Sequence, residues 1–167
     1  MNTCIVGFSK PKKFKLLSWL IRQAEHTKFS HTYVKLYDER VDKWIVYEAS
    51  GMITHCCPEE TFYLKNEVIQ EVELTCASFT ESEVLEDAID SLALPYGMKQ
   101  LLGLGLVRLS RLFGLKIKNP WSDGRITYVC SEYVGRLLQR LGYDVGDLDE
   151  LTPKDIHELL NGTVSEA

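Results

Sequence analysis

Ser30-His31-Thr32-Tyr33-Val34-Lys35-Leu36-Tyr37, then the polar turn Asp38-Glu39-Arg40, then Lys43-Trp44-Ile45-Val46-Tyr47-Glu48-Ala49: this stretch decides the fold class. Its first segment alternates strictly, with Thr32, Val34 and Leu36 on one face and His31, Tyr33, Lys35 and Tyr37 on the other. Period-two alternation of β-branched and aromatic residues, broken by a polar turn and resumed, is the pattern of a β-hairpin. Upstream, Thr3–Ser9 is a short apolar run that reads as a buried strand, and downstream Val68–Leu74 reads as a third strand of the group. Helical spacing takes over elsewhere. Leu16, Leu17, Leu20, Ile21 and Ala24 make a first amphipathic helix. Thr80 with Glu83 forms a capping box ahead of Val84, Leu85, Ala88, Ile89 and Leu92. After a short β-like run at Ile126–Val129, Val134, Leu137, Leu138 and Leu141 give a helix closed by Gly142. Thr152-Pro153, an N-cap followed by Pro at the first helical position, opens a last helix over Pro153–Leu160. The expectation is an α+β fold, a mainly antiparallel sheet packed by helices that are segregated in sequence.

The chain has 167 residues, 45% hydrophobic and 26% charged, which suits one domain over 1–167 with a core of its own. A net charge of −5 argues against nucleic acid as a partner, because a phosphate backbone demands a basic face. The charges come in blocks. Lys10, Lys12, Lys13, Lys15, Arg22 and Lys28 outnumber Glu25 near the start, 59–90 is acidic, 99–118 is basic, and the tail from Asp144 is acidic again. Such blocks read as solvated faces, and the N-terminal lysines as a solvated loop. The longest uncharged stretch, Ala49–Pro58, is far short of a membrane span. Met1-Asn2-Thr3-Cys4-Ile5-Val6 has no basic region followed by an apolar one, so the expectation is no signal peptide and a cytoplasmic setting. The five cysteines (Cys4, Cys56, Cys57, Cys76, Cys130) are too sparse for a disulfide framework.

Cys130 stands out by position. It lies where a short strand meets the N-terminus of the Val134–Leu141 helix, where the dipole and free amides stabilise a thiolate. Such a nucleophile needs a base, and among the four histidines His31 has the best supported partner. In a hairpin pairing 37 with 44, or shifted by one step to pair 36 with 43, His31 and Glu48 share a face as direct or diagonal neighbours. Glu48 would then accept the second imidazole N–H and fix the ring's orientation. Cys130, His31 and Glu48 so take the parts of nucleophile, base and orienter. A buried Cys acting as a small hydrophobe and a merely solvated His are the plainer readings of the same residues.

The order of these motifs resembles the permuted papain-like cysteine hydrolases, a circularly permuted branch of the NlpC-type superfamily, and specifically its YaeF/YiiX-like members. Lys28-Phe29-Ser30-His31-Thr32-Tyr33-Val34 looks like that group's "SH" strand, and Val46-Tyr47-Glu48-Ala49-Ser50-Gly51 like the strand bearing its polar third residue. Tyr128-Val129-Cys130-Ser131-Glu132-Tyr133-Val134 resembles the "YCSELV" nucleophile motif, with Val129 as an extra residue. Thr152-Pro153-Lys154-Asp155 is similar to the closing segment. Pro95-Tyr96-Gly97 looks like the "PY" segment, whose tyrosine assists the oxyanion site, and this implies that role for Tyr96. The resemblance implies a circularly permuted papain-like fold and acyl transfer through a Cys130 thioester, with no cofactor.

Two other signals compete. His55-Cys56-Cys57 with Cys76 fits no usual zinc spacing, and adjacent cysteines rarely share one ion, so no metal site is expected. Met98–Lys118 sets leucines among Lys99, Arg108, Arg111, Lys116 and Lys118. It reads first as a helix packed on the domain with a solvated basic edge, and second as a contact for an anionic membrane surface or an apolar substrate chain. The leading expectation is a thiol hydrolase (amidase or peptidase) acting on a peptide, isopeptide or peptidoglycan-type amide; a wall substrate would require delivery by lysis or a phage particle. An acyltransferase or acyl-lipid hydrolase of the lecithin:retinol acyltransferase-like type stands second. A non-catalytic binding module on the same fold, with an unreactive Cys130, stands third.

Overall fold

The structure is a computed structural model that describes residues 4–51, 53–74, 86, 89–95, 97, 103, 114–115, 117–118, 120 and 129–164. In chain order the elements are β1 (Cys4–Pro11), α1 (Leu16–Glu25), β2 (His31–Asp38), β3 (Lys43–Ser50), β4 (Ile53–Pro58), α2 (Glu59–Lys65), β5 (Asn66–Leu74), α3 (Cys130–Arg140), a 3₁₀ turn (Leu148–Glu150) and α4 (Pro153–Val164). The fold is α+β, with one five-stranded antiparallel sheet in the order β4-β3-β2-β1-β5. The hairpin forms in the 37-with-44 register, as Tyr37 pairs Trp44 and Val34 pairs Tyr47. Being central, β2 buries both faces from Thr32 to Leu36, so its alternation sorts two cores rather than core from water.

On one face Val6, Phe8, Val34, Leu36, Tyr47, Ala49 and Leu74 pack against Val134, Leu137 and Leu138 of α3 and Ile156 and Leu160 of α4. On the other, Tyr33 and Val46 pack against Phe62 of α2. There Lys35 is also buried, its ammonium bonded to Glu71 (2.9 Å), Tyr63 (3.0 Å) and Glu59 (3.2 Å). Fully satisfied donors explain how a lysine lies inside. The Tyr33 ring lies over Gly7, its partner on β1, where a Cβ would sit 2.1 Å from the ring's Cζ.

Local chemistry explains the helix ends. Gly142, at φ 88°, closes α3 in the left-handed conformation that only glycine adopts freely. Thr152 and Asp155 cap α4 reciprocally: Asp155 N–H donates to Thr152 Oγ1 (3.3 Å) and Thr152 N–H to Asp155 Oδ2 (2.9 Å).

Three local expectations change. The segment holding His55, assigned to no element by the sequence pattern, is strand β4, running straight into α2. Its polar, cysteine-bearing sequence lacks clean alternation because it is the outer strand beyond β3. Second, an amphipathic helix ordinarily turns its apolar stripe inward. In α1 the buried residues are Ser18 and Glu25, while Leu16, Leu17, Trp19 and Leu20 are exposed. Third, α3 starts at Cys130 itself, four residues before the first apolar position that announced it. The Thr80/Glu83 capping box and most of Met98–Lys118 lie outside the described residues. Among the described residues no helix is long and apolar enough to cross a membrane.

Candidate active site

His31 is the first residue of β2, and Ser9 is its partner on β1. The β2–β3 register carries Tyr33 opposite Glu48, so His31 and Glu48 are diagonal neighbours on one face of the sheet. Their side chains meet: His31 Nε2 lies 2.5 Å from Glu48 Oε2. Both are largely buried, with 14% and 6% of the side-chain surface exposed. Nε2 makes the carboxylate contact, and Cys130 is the other side chain that interacts with the ring. Burial on its own would lower the imidazole pKa. Hydrogen bonds with Cys130 and Glu48, and the charge of Glu48, outweigh it and carry the pKa from 6.5 up to about 10. At neutral pH the ring is therefore a cation between a carboxylate and a sulfur.

Cys130 reaches this position because it opens α3. Val129 is the extended N-cap residue, and Tyr133 N–H closes the first turn onto Val129 O (3.0 Å). The first amides of a helix have no partner within it, so the Cys130 N–H belongs to the helix's positive end. α3 is anchored behind the site by Ser131 Oγ, which donates to Leu151 O (2.6 Å). Gly135 allows Leu148 and Leu151 to approach, since a Cβ there would meet Leu151 at 2.3 Å.

Glu48 has a second imidazole on its other oxygen. His55, its direct partner on β4, places Nε2 3.1 Å from Glu48 Oε1. Burial would raise the Glu48 pKa, but hydrogen bonds from His31 and His55 hold it well below the usual carboxylate range. The hydrogen bond to Glu48 raises the His55 pKa in return, against partial burial. Sequence reasoning had set His55 beside a metal hypothesis and missed this contact. The available signal was its offset from Glu48 across the tight turn that follows Ser50, with Gly51 at φ 70°.

Of the expected site residues, Cys130, His31 and Glu48 come together. Tyr96 lies outside the described residues. Pro95, the residue before it, bridges Ile53 at the start of β4, the strand that carries His55. Among the described residues no group of three or more His, Cys, Asp or Glu side chains is set to hold a metal ion; Cys76 lies outside them. Cys56, Cys57 and Cys130 are free thiols.

Chemically, the arrangement offers a sulfur nucleophile at a helix N-terminus, a proton carrier against it and a carboxylate that orients the carrier. Neither protein-family models nor the curated proteins give a match to this chain.

Proposed function

We propose that this protein is a cysteine hydrolase of the permuted papain-like type, cleaving an amide of peptide, isopeptide or peptidoglycan kind through a thioester on Cys130. The observation that carries this reading is the His31 imidazole held between Cys130 and Glu48. His31 already holds its proton at neutral pH, so the reactive form is the imidazolium–thiolate pair, and the Cys130 thiolate attacks the substrate carbonyl, forming a C–S bond. The resulting oxyanion takes a hydrogen bond from the Cys130 N–H at the head of α3. Collapse breaks the C–N bond as His31 gives its proton to the departing amine. Water, deprotonated by the now neutral His31, then attacks the thioester, and C–S cleavage releases the acid and restores the imidazolium–thiolate pair. Glu48 stays ionised and stabilises the imidazolium in each half-reaction.

The family resemblance supplies Tyr96 as the side-chain oxyanion donor. Removing one such donor typically costs ~10²–10³-fold, so Tyr96→Phe should slow turnover by that order without abolishing it. Full activity in that variant would remove Tyr96 from the scheme. A nucleophile that must stay reduced fits a cytoplasmic setting. The acyltransferase or acyl-lipid reading shares the same thioester and differs in the acyl donor and acceptor, so amide and acyl-ester substrates assayed in parallel separate the two.

The deciding test is iodoacetamide alkylation of each cysteine against pH, mapped by mass spectrometry, in wild type and His31→Ala. Rapid labelling confined to Cys130 at neutral pH, lost in His31→Ala, is the expected result. Labelling of Cys130 no faster than that of Cys56 and Cys57 would overturn the proposal and leave a binding module on this fold.

A further inference from the structure

We propose that α1 is a docking surface for an anionic lipid bilayer. The helix faces the wrong way for a core element. Ser18 and Glu25, one helical face, are buried against the molecule, while Leu16 (61% exposed), Leu20 (48%) and Trp19 (41%) form the opposite face, and Phe14 just before the helix is 76% exposed. Leu16, Trp19 and Leu20 stand at i, i+3 and i+4, so their side chains form one continuous apolar patch. A tryptophan in such a patch is the residue best suited to the headgroup boundary.

The charge around the patch says what it faces. Lys12, Lys13 and Lys15 are exposed immediately ahead of the first turn, and that turn contains no acid. Cations at a helix N-terminus oppose the macrodipole, so this cluster weakens the helix it precedes. Among the described residues no carboxylate forms a salt bridge with these lysines, so an anionic surface outside the molecule suits them. In a chain of net charge −5, cations beside exposed apolar side chains fit a surface that is anionic and apolar together. The same charges disfavour two other occupants. A second copy would bring its own lysines, and the Met98–Lys118 segment carries five further cations and no acid.

The inner side of α1 meets the residue that precedes His31. Ser18 Oγ and Ser30 Oγ are 2.6 Å apart, and Ser30 directly precedes His31. A docked α1 thus holds the entry to β2 about one helix diameter, roughly 10 Å, from the lipid. The proposal does not depend on the catalytic reading, since docking needs neither Cys130 nor His31.

The test is flotation of the full chain with vesicles of phosphatidylcholine alone and of phosphatidylcholine with phosphatidylserine. The chain should float with the anionic vesicles only, and less so as salt rises. Lys12→Gln and Lys13→Gln should each lower partitioning about fivefold, Trp19→Glu/Leu20→Glu should abolish it, and Cys130→Ala should leave it unchanged. No flotation with anionic vesicles, or undiminished flotation of Trp19→Glu/Leu20→Glu, overturns the proposal. So does a dimer in sedimentation velocity that this variant dissociates, which assigns the face to a second copy. A lowered melting temperature of the monomeric variant assigns it to the chain's own packing and likewise overturns it.

Discussion

A carboxylate shared by two imidazoles is asymmetric here, because His31 is buried and His55 is partly open to solvent. The buried contact at 2.5 Å orients the ring that meets Cys130, and the outer one at 3.1 Å holds the carboxylate from behind. Substitutions should therefore separate by severity. Glu48→Gln keeps the shape but removes the charge that stabilises the imidazolium, and turnover should fall by up to ~10⁴-fold. His55→Gln keeps a donor to Glu48, so its loss should stay nearer ~10-fold, the scale of a partner one shell out. Single-turnover rates on a common amide substrate measure both. A His55→Gln loss as large as that of Glu48→Gln would make the two imidazoles equivalent and sink this ordering. Glu48 was legible in the sequence because strand parity and a short turn leave it few places to go. His55 was not, because its role needs a third strand in register.

On the face that carries Tyr33, strand β1 contributes an absence of side chain at Gly7 rather than a contact. Gly7 exists so that the Tyr33 ring can lie against the backbone, with its hydroxyl donating to Glu71 Oε1 (2.7 Å). Glu71 also accepts from buried Lys35, so moving the ring disturbs an ion cluster as well as a packing contact. Gly7→Ala should destabilise by about 3 kcal/mol, the upper part of the range for overpacking, read as a lowered urea midpoint at unchanged m-value. A change below about 0.5 kcal/mol would mean that Tyr33 repacks freely. At this scale the strands were readable from alternation, and the helix stops from Gly142 and Thr152-Pro153. The facing of α1 was not, since an apolar stripe states only that one side is apolar.

Across the whole molecule the site couples stability to pH in two opposite directions. His31 has its folded pKa raised from 6.5 to about 10, so its contribution is complete below pH 6.5 and is lost as pH rises through 10. Glu48 is held below its ordinary value of 4.5, so its contribution is present above that pH and lost on acidification below it. These two groups place the stability maximum between about pH 4.5 and 6.5, with an alkaline limb no steeper than about 1.4 kcal/mol per pH unit. Thermal melts across pH 4–10 check this, with His31→Gln expected to flatten the alkaline limb. An unchanged limb in that variant would show that His31 does not titrate in this way.

The amino-acid sequence by itself determined what short-range physics can write. Alternation set the β2–β3 hairpin and put His31 and Glu48 on one face, and capping chemistry marked where α3 and α4 stop and start. Charge and composition set aside nucleic acid as an expectation. Tertiary structure decided the rest. Whether β4 is a strand depends on β3 offering an edge, and whether the α1 stripe turns in or out depends on what space the sheet leaves. The approach of Cys130 to His31 depends on α3 packing across the sheet, anchored through Ser131 and Gly135. A periodicity reports the geometry of one element and says nothing about which neighbour it meets. That choice is made by close packing and by the satisfaction of buried polar groups, which belong to the whole chain at once.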